Sequence, residues 1–252
     1  MSSDEPNRAR DAFLVGYALA TGQATSGTAE GDLESAKGAF LTAISANDPE
    51  WSPRASYVLG DLLWQRGDPE AAERHVQLAL ASGHPDWSPA ANVLSGILYA
   101  ARGDVPAAQR AYNAAIASGH PQHAANAWFN LGTLHQQRGE IAPAIAAFRK
   151  AMAFDHQEFR AKAAVNLGFV LFNNAGDVEG ARDAFQQAIA TGHPEQSRLA
   201  RTNLQALDAL TAHKAAPADT RIVEDSTDVS VGHGRGGFKL RWWIKDKAKK
   251  GN

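Results

Sequence analysis

One four-residue corner occurs four times in this chain, and its spacing restricts the fold more than any other feature. The copies read Ser82-Gly83-His84-Pro85, Ser118-Gly119-His120-Pro121, Phe154-Asp155-His156-Gln157 and Thr191-Gly192-His193-Pro194. Their histidines follow one another at intervals of 36, 36 and 37 residues. A period of this length, with alanine-rich sequence between the corners, predicts a repeat protein built from stacked helix pairs. Stacks of this kind usually present an extended binding surface.

A glycine followed by an acidic residue recurs between the corners and predicts where one helix ends and the next begins. Glycine accommodates the left-handed conformation that ends a helix, and an acid is favoured at the positive end of the helix dipole. The pairs are Gly31-Asp32, Gly67-Asp68, Gly103-Asp104, Gly139-Glu140 and Gly176-Asp177. The extra residue of the longest interval falls in the stretch Asn173-Asn174-Ala175-Gly176.

Glycine also recurs inside the predicted helices, where each copy costs about 0.5–1 kcal/mol relative to alanine. We expect each glycine to lie opposite an alanine of the partner helix, at a crossing too close for a larger side chain. The glycines are Gly60, Gly96, Gly132 and Gly168, and the alanines are Ala72, Ala108, Ala144 and Ala181.

These units resemble the tetratricopeptide repeat. In one unit the matching positions are Trp128, Leu131-Gly132, Ala144, Phe148 and Ala151, and in the unit before it Gly96, Tyr99, Ala108, Tyr112 and Ala115. The 36-residue length also resembles the related Sel1-like repeat, but the Sel1 loop glycines are missing, so we favour the tetratricopeptide class. The resemblance implies an all-α, right-handed α-solenoid of about five helix hairpins plus a capping helix.

The resemblance covers residues 7–213, with predicted units 7–46, 50–82, 86–118, 122–154 and 158–191 and a cap at 195–213. Arg198, Arg201, Asp208 and His213 would form the polar outer face that a terminal repeat needs. Residues 214–229 are predicted to be a linker, and residues 230–252 a separate basic, aromatic tail.

In a stack of this kind the first helix of each pair lines a concave groove, which we expect to bind an extended peptide or a partner protein. Aromatic side chains suit such a surface because they bury a large area at a small entropy cost. The alternative is that several of these side chains belong to the core between repeats. The predicted groove residues are Tyr57, Asp61, Trp64, Val93, Ile97, Phe129, Thr133 and Phe169.

Asn130, Asn166 and Asn203 recur at almost the same period. Each amide can both donate and accept hydrogen bonds, so a row of them can follow the backbone of an extended peptide. Some tetratricopeptide domains use such a row. The alternative is that each asparagine satisfies backbone groups within its own protein. Of the lysines that a carboxylate clamp requires, only Lys162 lies in a comparable place.

The tail differs from the rest of the chain in charge. Residues 230–252 hold seven Lys and Arg against one acid, a net charge of +6, whereas the other residues sum to −8. Lys239, Arg241 and Lys245 alternate with Trp242 and Trp243. Such a segment suits anionic membrane, nucleic acid or an acidic protein groove, including the groove of this chain. Peripheral attachment through the tail is therefore the alternative function.

Nothing in the sequence indicates catalysis, a cofactor or a metal site. The chain has no cysteine, which rules out disulfides and thiolate ligands. The corner histidines would lie on separate layers, too far apart to share one ion. Residues 12–20 superficially resemble the apolar core of a signal peptide, but Asp4, Glu5 and Asp11 interrupt the basic flank. We therefore expect a non-enzymatic, cytoplasmic scaffold that binds protein.

Overall fold

The fold consists of α-helices joined by short turns. A computed structural model describes residues 5–24 and 28–215, and no β-strand occurs in these ranges. They contain eleven α-helices, which confirms the predicted all-α class of helix hairpins with a final helix. In chain order α1 to α11 span Glu5–Ala20, Ala29–Ser45, Trp51–Gln65, Pro69–Ala81, Trp87–Ala101, Val105–Ala117, Pro121–Gln137, Ile141–Met152, Gln157–Val170, Val178–Ala190 and Pro194–Ala215.

The chain divides into two compact units. Unit 1 comprises the residues up to Leu134, and unit 2 comprises those from His135 onward. In unit 1, α1 packs on α2, α3 on α4, and α5 on α6. In unit 2, α9 packs on α8, α10 and α11. Each unit thus has the layered, neighbour-on-neighbour arrangement of an α-solenoid.

Three of the glycine–acid pairs end one helix and cap the next. Gly103 has a φ of 79°, and the side chain of Asp104 accepts a hydrogen bond from the Ala107 amide at the start of α6. Asp68 and Asp177 cap α4 and α10 in the same way. Such a cap satisfies an amide that has no partner inside its helix.

The prediction that Gly31-Asp32 separates two helices was wrong. α2 already begins at Ala29, and the Asp32 amide donates to the Thr28 carbonyl. The glycine with positive φ after α1 is Gly22, at 72°. The first hairpin therefore turns earlier than the glycine–acid rule indicates, because Gly31 and Asp32 already take part in the first turn of a helix.

A π-helical turn accommodates the extra residue of the longest repeat. It spans Leu171–Ala175 and follows α9 directly, before Gly176 ends the segment at a φ of 68°. A π turn holds one more residue than an α turn, so it absorbs an insertion without shifting the next helix. The predicted position of the insertion is confirmed.

The helices of each pair approach closely, but the side chain nearest to Gly60, Gly96 or Gly168 is a larger one than the predicted alanine. A Cβ built on Gly96 would lie 2.4 Å from the ring of Tyr112, and one on Gly168 would lie 2.5 Å from Phe185. Each ring is four residues after the expected alanine. Ala108 and Ala181 are themselves fully buried, as expected of small residues at a close helix crossing.

The same relation holds for the other pairs whose contacts are described. Gly16 lies against Phe40, and Gly60 lies against Val76 and the Ala72 carbonyl. One packing rule therefore repeats in both units.

The final helix covers the last hairpin. Ala200 and Leu207 are buried against the layer below, whereas Arg198, Arg201 and Asp208 are exposed. Asp208 accepts a hydrogen bond from Arg182 of α10. The polar outer face expected of a cap is present at these positions, and the side chain of His213 lies outside the described residues.

Candidate peptide-binding surface

The first helices of the hairpins in unit 1 form a surface of half-buried aromatic and polar side chains. We call it the first-helix surface and define it by the residues of α1, α3, α5 and the part of α7 up to Leu134. Most of the predicted groove residues of unit 1 lie on it partly accessible. They are Tyr57, Asp61, Trp64, Ile97, Phe129, Asn130 and Thr133.

Three predicted site residues are buried. Val93 and Phe169 are 3% and 4% exposed, and Asn203 is 6% exposed. Phe169 lies edge-on to Phe185 at 5.7 Å between ring centroids, inside the α9–α10 contact. These three side chains leave almost no area for a partner to touch.

Burial changes the acid–base behaviour of Tyr57 and Asp61. The Tyr57 ring lies 5.7 Å from that of Trp87, and loss of water together with the nearby Asp61 carboxylate raises the pKa of Tyr57 to about 12. Burial also raises the pKa of Asp61, although a hydrogen bond from Gln65 Nε2 at 2.8 Å lowers it in part. Tyr57 therefore stays a neutral hydrogen-bond donor, and Asp61 has no basic partner within 4 Å among the described residues.

Sequence reasoning missed an arginine at the centre of this surface. The Arg54 guanidinium carbon lies 4.7 Å from the ring centroid of Phe13, 5.3 Å from Trp51 and 5.2 Å from Trp87. The available signal was the repeated Trp-Ser-Pro element, which is followed by Arg54 in its first copy and by Ala90 in its second.

The Trp-Ser-Pro elements themselves tie consecutive hairpins together. Ser52 Oγ donates to the Ala43 carbonyl at 2.9 Å, and Ser88 Oγ donates to the Ala79 carbonyl at 3.1 Å. Ser197 makes the equivalent contact in unit 2. Each serine satisfies a carbonyl near the end of the preceding helix.

The three asparagines of the predicted row differ in their contacts. Asn130 Nδ2 donates to the carbonyl and to the side-chain oxygen of Asn126, and Asn203 Nδ2 donates to the Leu199 carbonyl at 2.8 Å. Both amides are thus engaged inside their own helices. Asn166 is half-buried and makes no hydrogen bond with the described residues.

Lys162 of unit 2, which lies in a place comparable to a lysine of a carboxylate clamp, is already paired. Lys162 donates to Glu158 one turn earlier on α9, and its Nζ lies 5.5 Å from the Phe159 ring centroid. This pairing lowers the pKa of Glu158. The first helix of this hairpin therefore offers no free cation.

Three of the four corner histidines accept hydrogen bonds from amides at helix starts, and the fourth, His156, has no such bond. His84 Nδ1 accepts from the amides of Asp86 and Trp87, while its Nε2 lies 3.1 Å from Glu50. His120 and His193 accept amide hydrogen bonds in the same way. With Nδ1 as acceptor, the neutral ring carries its proton on Nε2. The described residues contain no group of three or more metal-binding side chains.

The predicted tail contacts Lys239, Arg241, Trp242, Trp243 and Lys245 lie outside the described residues, as do the linker residues from 216 onward. Within the part of the chain that is described, none of the helices has the length and hydropathy to cross a bilayer.

Comparison with known proteins identifies the repeat. Two family models described as tetratricopeptide repeat match the chain, one over residues 21–86 and 93–159 and the other over residues 162–195. No curated protein matches it. A structure titled "Crystal structure of MamA protein" is 19% identical, with a TM-score of 0.53 over 74% of this chain and 92% of that one. Another, "Crystal structure of MamA", is 23% identical over 66% and 96%, with a TM-score of 0.49.

Proposed function

We propose, from the premise that this chain belongs to the tetratricopeptide repeat family, that it is a cytoplasmic scaffold binding an extended peptide on its first-helix surface. Proteins of this family act in general as protein-interaction scaffolds, and the proposal is of binding without catalysis. The Sel1-like subtype stays a prediction.

The observation that carries the proposal is the row of half-buried side chains on α3, α5 and α7. Tyr57, Trp64 and Phe129 each keep part of an aromatic ring accessible on helices whose other face is buried. Aromatic residues on a rigid scaffold are favoured interface anchors, because they gain a large contact area with little loss of side-chain entropy. The outward second helices carry no comparable row; α4, for example, exposes the single large apolar side chain Leu78, which is 51% exposed.

The proposal is tested by selecting binders from a displayed library of random linear peptides with the full chain. Replacing Tyr57 and Trp64 together by alanine should weaken the selected peptides at least about tenfold, as expected for interface anchors. Leu78→Ala on α4 is the matched control and should bind as the wild type does. Equal binding by the double variant, or an equal loss in the control, would contradict the assignment of the surface.

In unit 2, separately from the first-helix surface, Asn166 is the member of the asparagine row that we propose as a contact with a peptide backbone. Its amide is free to bond a peptide, whereas that of Asn203 is buried and bonded to its own helix. Asn166→Ala should weaken peptide binding at unchanged unfolding temperature. Asn203→Ala should instead lower the unfolding temperature, because it removes a buried side chain together with its hydrogen bond to the Leu199 carbonyl. The reverse result would remove Asn166 from the site.

A second candidate function rests on the composition of the tail. Its +6 charge and two adjacent tryptophans support attachment to anionic membrane or nucleic acid, or docking onto the −8 remainder of the chain. Liposome and oligonucleotide binding should then disappear when residues 230–252 are deleted, and should weaken as salt rises. If the tail docks on the first-helix surface, the same deletion should strengthen peptide binding; unchanged binding in every assay would rule the tail out.

A further inference from the structure

Arg54 is a cation that the fold holds in place without an anion. Three aromatic rings surround its guanidinium within 4.7–5.3 Å. Its Nε is buried without a hydrogen-bond partner, and no carboxylate of the described residues lies within 4 Å of the group. Two other cations of unit 1 are paired, Lys37 with Glu34 and Arg102 with Glu73.

The position of Arg54 places it among the residues that the proposed function uses. It precedes Tyr57 by three residues and Asp61 by seven, so all three lie along one side of α3. Two of the surrounding rings come from α3 and α5, and the third, Phe13, comes from α1. The arginine thus lies where the first helices of three successive hairpins meet.

The arrangement suits an incoming anion for two reasons. The rings remove water from the inner edge of the guanidinium and fix its orientation, which reduces the entropy lost when a ligand binds. The Arg54 side chain is only half-buried, and its terminal nitrogens have no hydrogen-bond partner among the described residues. A planar guanidinium with free outer donors binds a carboxylate through two parallel hydrogen bonds.

The charge decides which anion fits. A phosphorylated residue carries up to two negative charges and is recognised by clusters of arginine. Arg54 is a single positive charge, which matches the single negative charge of an Asp or Glu side chain. Tyr17, 43% exposed and stacked on Phe13 at 6.0 Å between centroids, adds an accessible aromatic ring next to Phe13.

We infer that Arg54 anchors an Asp or Glu side chain of the bound peptide, next to an apolar residue that packs on Tyr17. The inference rests on the proposed function and adds to it the chemistry of the partner: an extended segment in which an acid adjoins an apolar side chain. The basic tail is a poor occupant of this position, because residues 230–252 contain one acid among seven Lys and Arg.

The test uses peptides selected by the wild-type chain, compared with variants of both partners. Selected peptides should share an Asp or Glu beside an apolar residue. Arg54→Met should weaken them about tenfold or more, the size of one charged hydrogen-bond pair. The peptide affinity of Arg54→Lys should lie between those of the wild type and Arg54→Met, because lysine keeps the charge but loses the planar guanidinium. Arg110→Met, an exposed arginine on α6 of the same unit, is the matched control and should leave binding unchanged.

A double-mutant cycle separates a direct contact from a structural effect. Changing the acid of the peptide to its amide should lower its affinity for the wild-type chain about tenfold. The same change should leave its affinity for Arg54→Met almost unaltered. Circular dichroism verifies that each variant is folded. If Arg54→Met does not fold, the amide peptide on the wild-type chain still decides, and equal affinity for acid and amide overturns the inference.

The outcomes distinguish this inference from the proposed function. Peptides that depend on Tyr57 and Trp64 but show no preference for an acid overturn the role of Arg54 and leave the binding surface intact. Peptides that bind regardless of Tyr57, Trp64 and Arg54 overturn both.

Discussion

The α5–α6 hairpin of unit 1 and the α9–α10 hairpin of unit 2 are packed by the same rule and present different surfaces. In each, a mid-helix glycine lies under an aromatic ring: Gly96 under Tyr112, and Gly168 under Phe185. Beyond that contact they diverge. The first helix of unit 1's hairpin supplies Trp87 to the cluster around an unpaired arginine, whereas α9 carries a lysine already paired within its own helix.

The difference shows which positions specify the fold and which are free to specify a partner. The glycine and ring positions cannot vary independently, because a change in one requires room in the other. The exposed side of the first helix has no such constraint. In this chain the unconstrained positions of unit 1 have become aromatic and cationic, and this is why we place the binding surface there.

The largest expected effect comes from filling the glycine contacts. Gly96→Ala and Gly168→Ala should each destabilise the chain by about 1–3 kcal/mol, since the added methyl group would overlap a buried ring. Denaturant unfolding measures the change. Gly38→Ala in α2 is the matched control: its Cβ meets no atom within 4 Å, so it should stabilise by about 0.5–1 kcal/mol. A neutral result at Gly96 or Gly168 would break the claim of a shared packing rule.

A smaller effect should distinguish the aspartate caps of unit 1 from Glu140 of unit 2. Asp104→Ala, like Asp68→Ala, removes the side-chain acceptor of a helix amide. Each should lower the free energy of unfolding by about 1 kcal/mol. Glu140 occupies the same position before α8 but makes no cap; it contacts His135 at 2.5 Å and Arg138 at 2.7 Å instead.

Glu140 makes ion pairs at the surface rather than a cap. Glu140→Ala should therefore lower the free energy of unfolding clearly less than Asp104→Ala does in the same experiment. A loss at Glu140 as large as that at Asp104 would show that the contacts with His135 and Arg138 replace the cap in full.

The smallest effect concerns the charge of Asp61. Burial raises the pKa of this carboxyl, so the folded chain holds its proton more tightly than the unfolded chain does. Stability from this group is therefore complete below the unfolded pKa and is lost as the pH rises through the higher folded value.

Asp61→Asn removes that loss and should stabilise the chain near neutral pH by at most about 0.5 kcal/mol. The advantage should vanish on acidification, once the wild-type carboxyl is protonated in both states. An advantage that persists at low pH would mean that the substitution acts through packing rather than through charge.

Much of the fold could be predicted from the sequence because the same helix-boundary and packing residues recur in successive repeats. The glycine–acid pairs located most helix boundaries, and the one irregular interval located the π turn. Gly31-Asp32 failed because a local motif is ambiguous when it falls within the first turn of a helix rather than before it. The side chain nearest to Gly60, Gly96 or Gly168 lies one helical turn after the predicted alanine. Sequence reasoning missed it, since the depth of a helix crossing depends on both helices.

The candidate site was less predictable. Spacing placed Tyr57, Asp61 and Trp64 on the first-helix surface, but it could not tell the accessible Ile97 from the buried Val93 one turn earlier. The Arg54 cluster joins residues of three different hairpins, and no local pattern connects Phe13, Trp51 and Trp87. Contacts of that kind become visible only after the helices are packed.

The most direct test of the account is to locate a bound peptide. A selected peptide carrying a photoreactive phenylalanine derivative can be cross-linked to the full chain, and the attachment sites mapped by mass spectrometry. We expect cross-links on α3 and α5, near Arg54, Tyr57 and Trp87. Cross-links on the second helices α4 and α6, around Leu78, would contradict it.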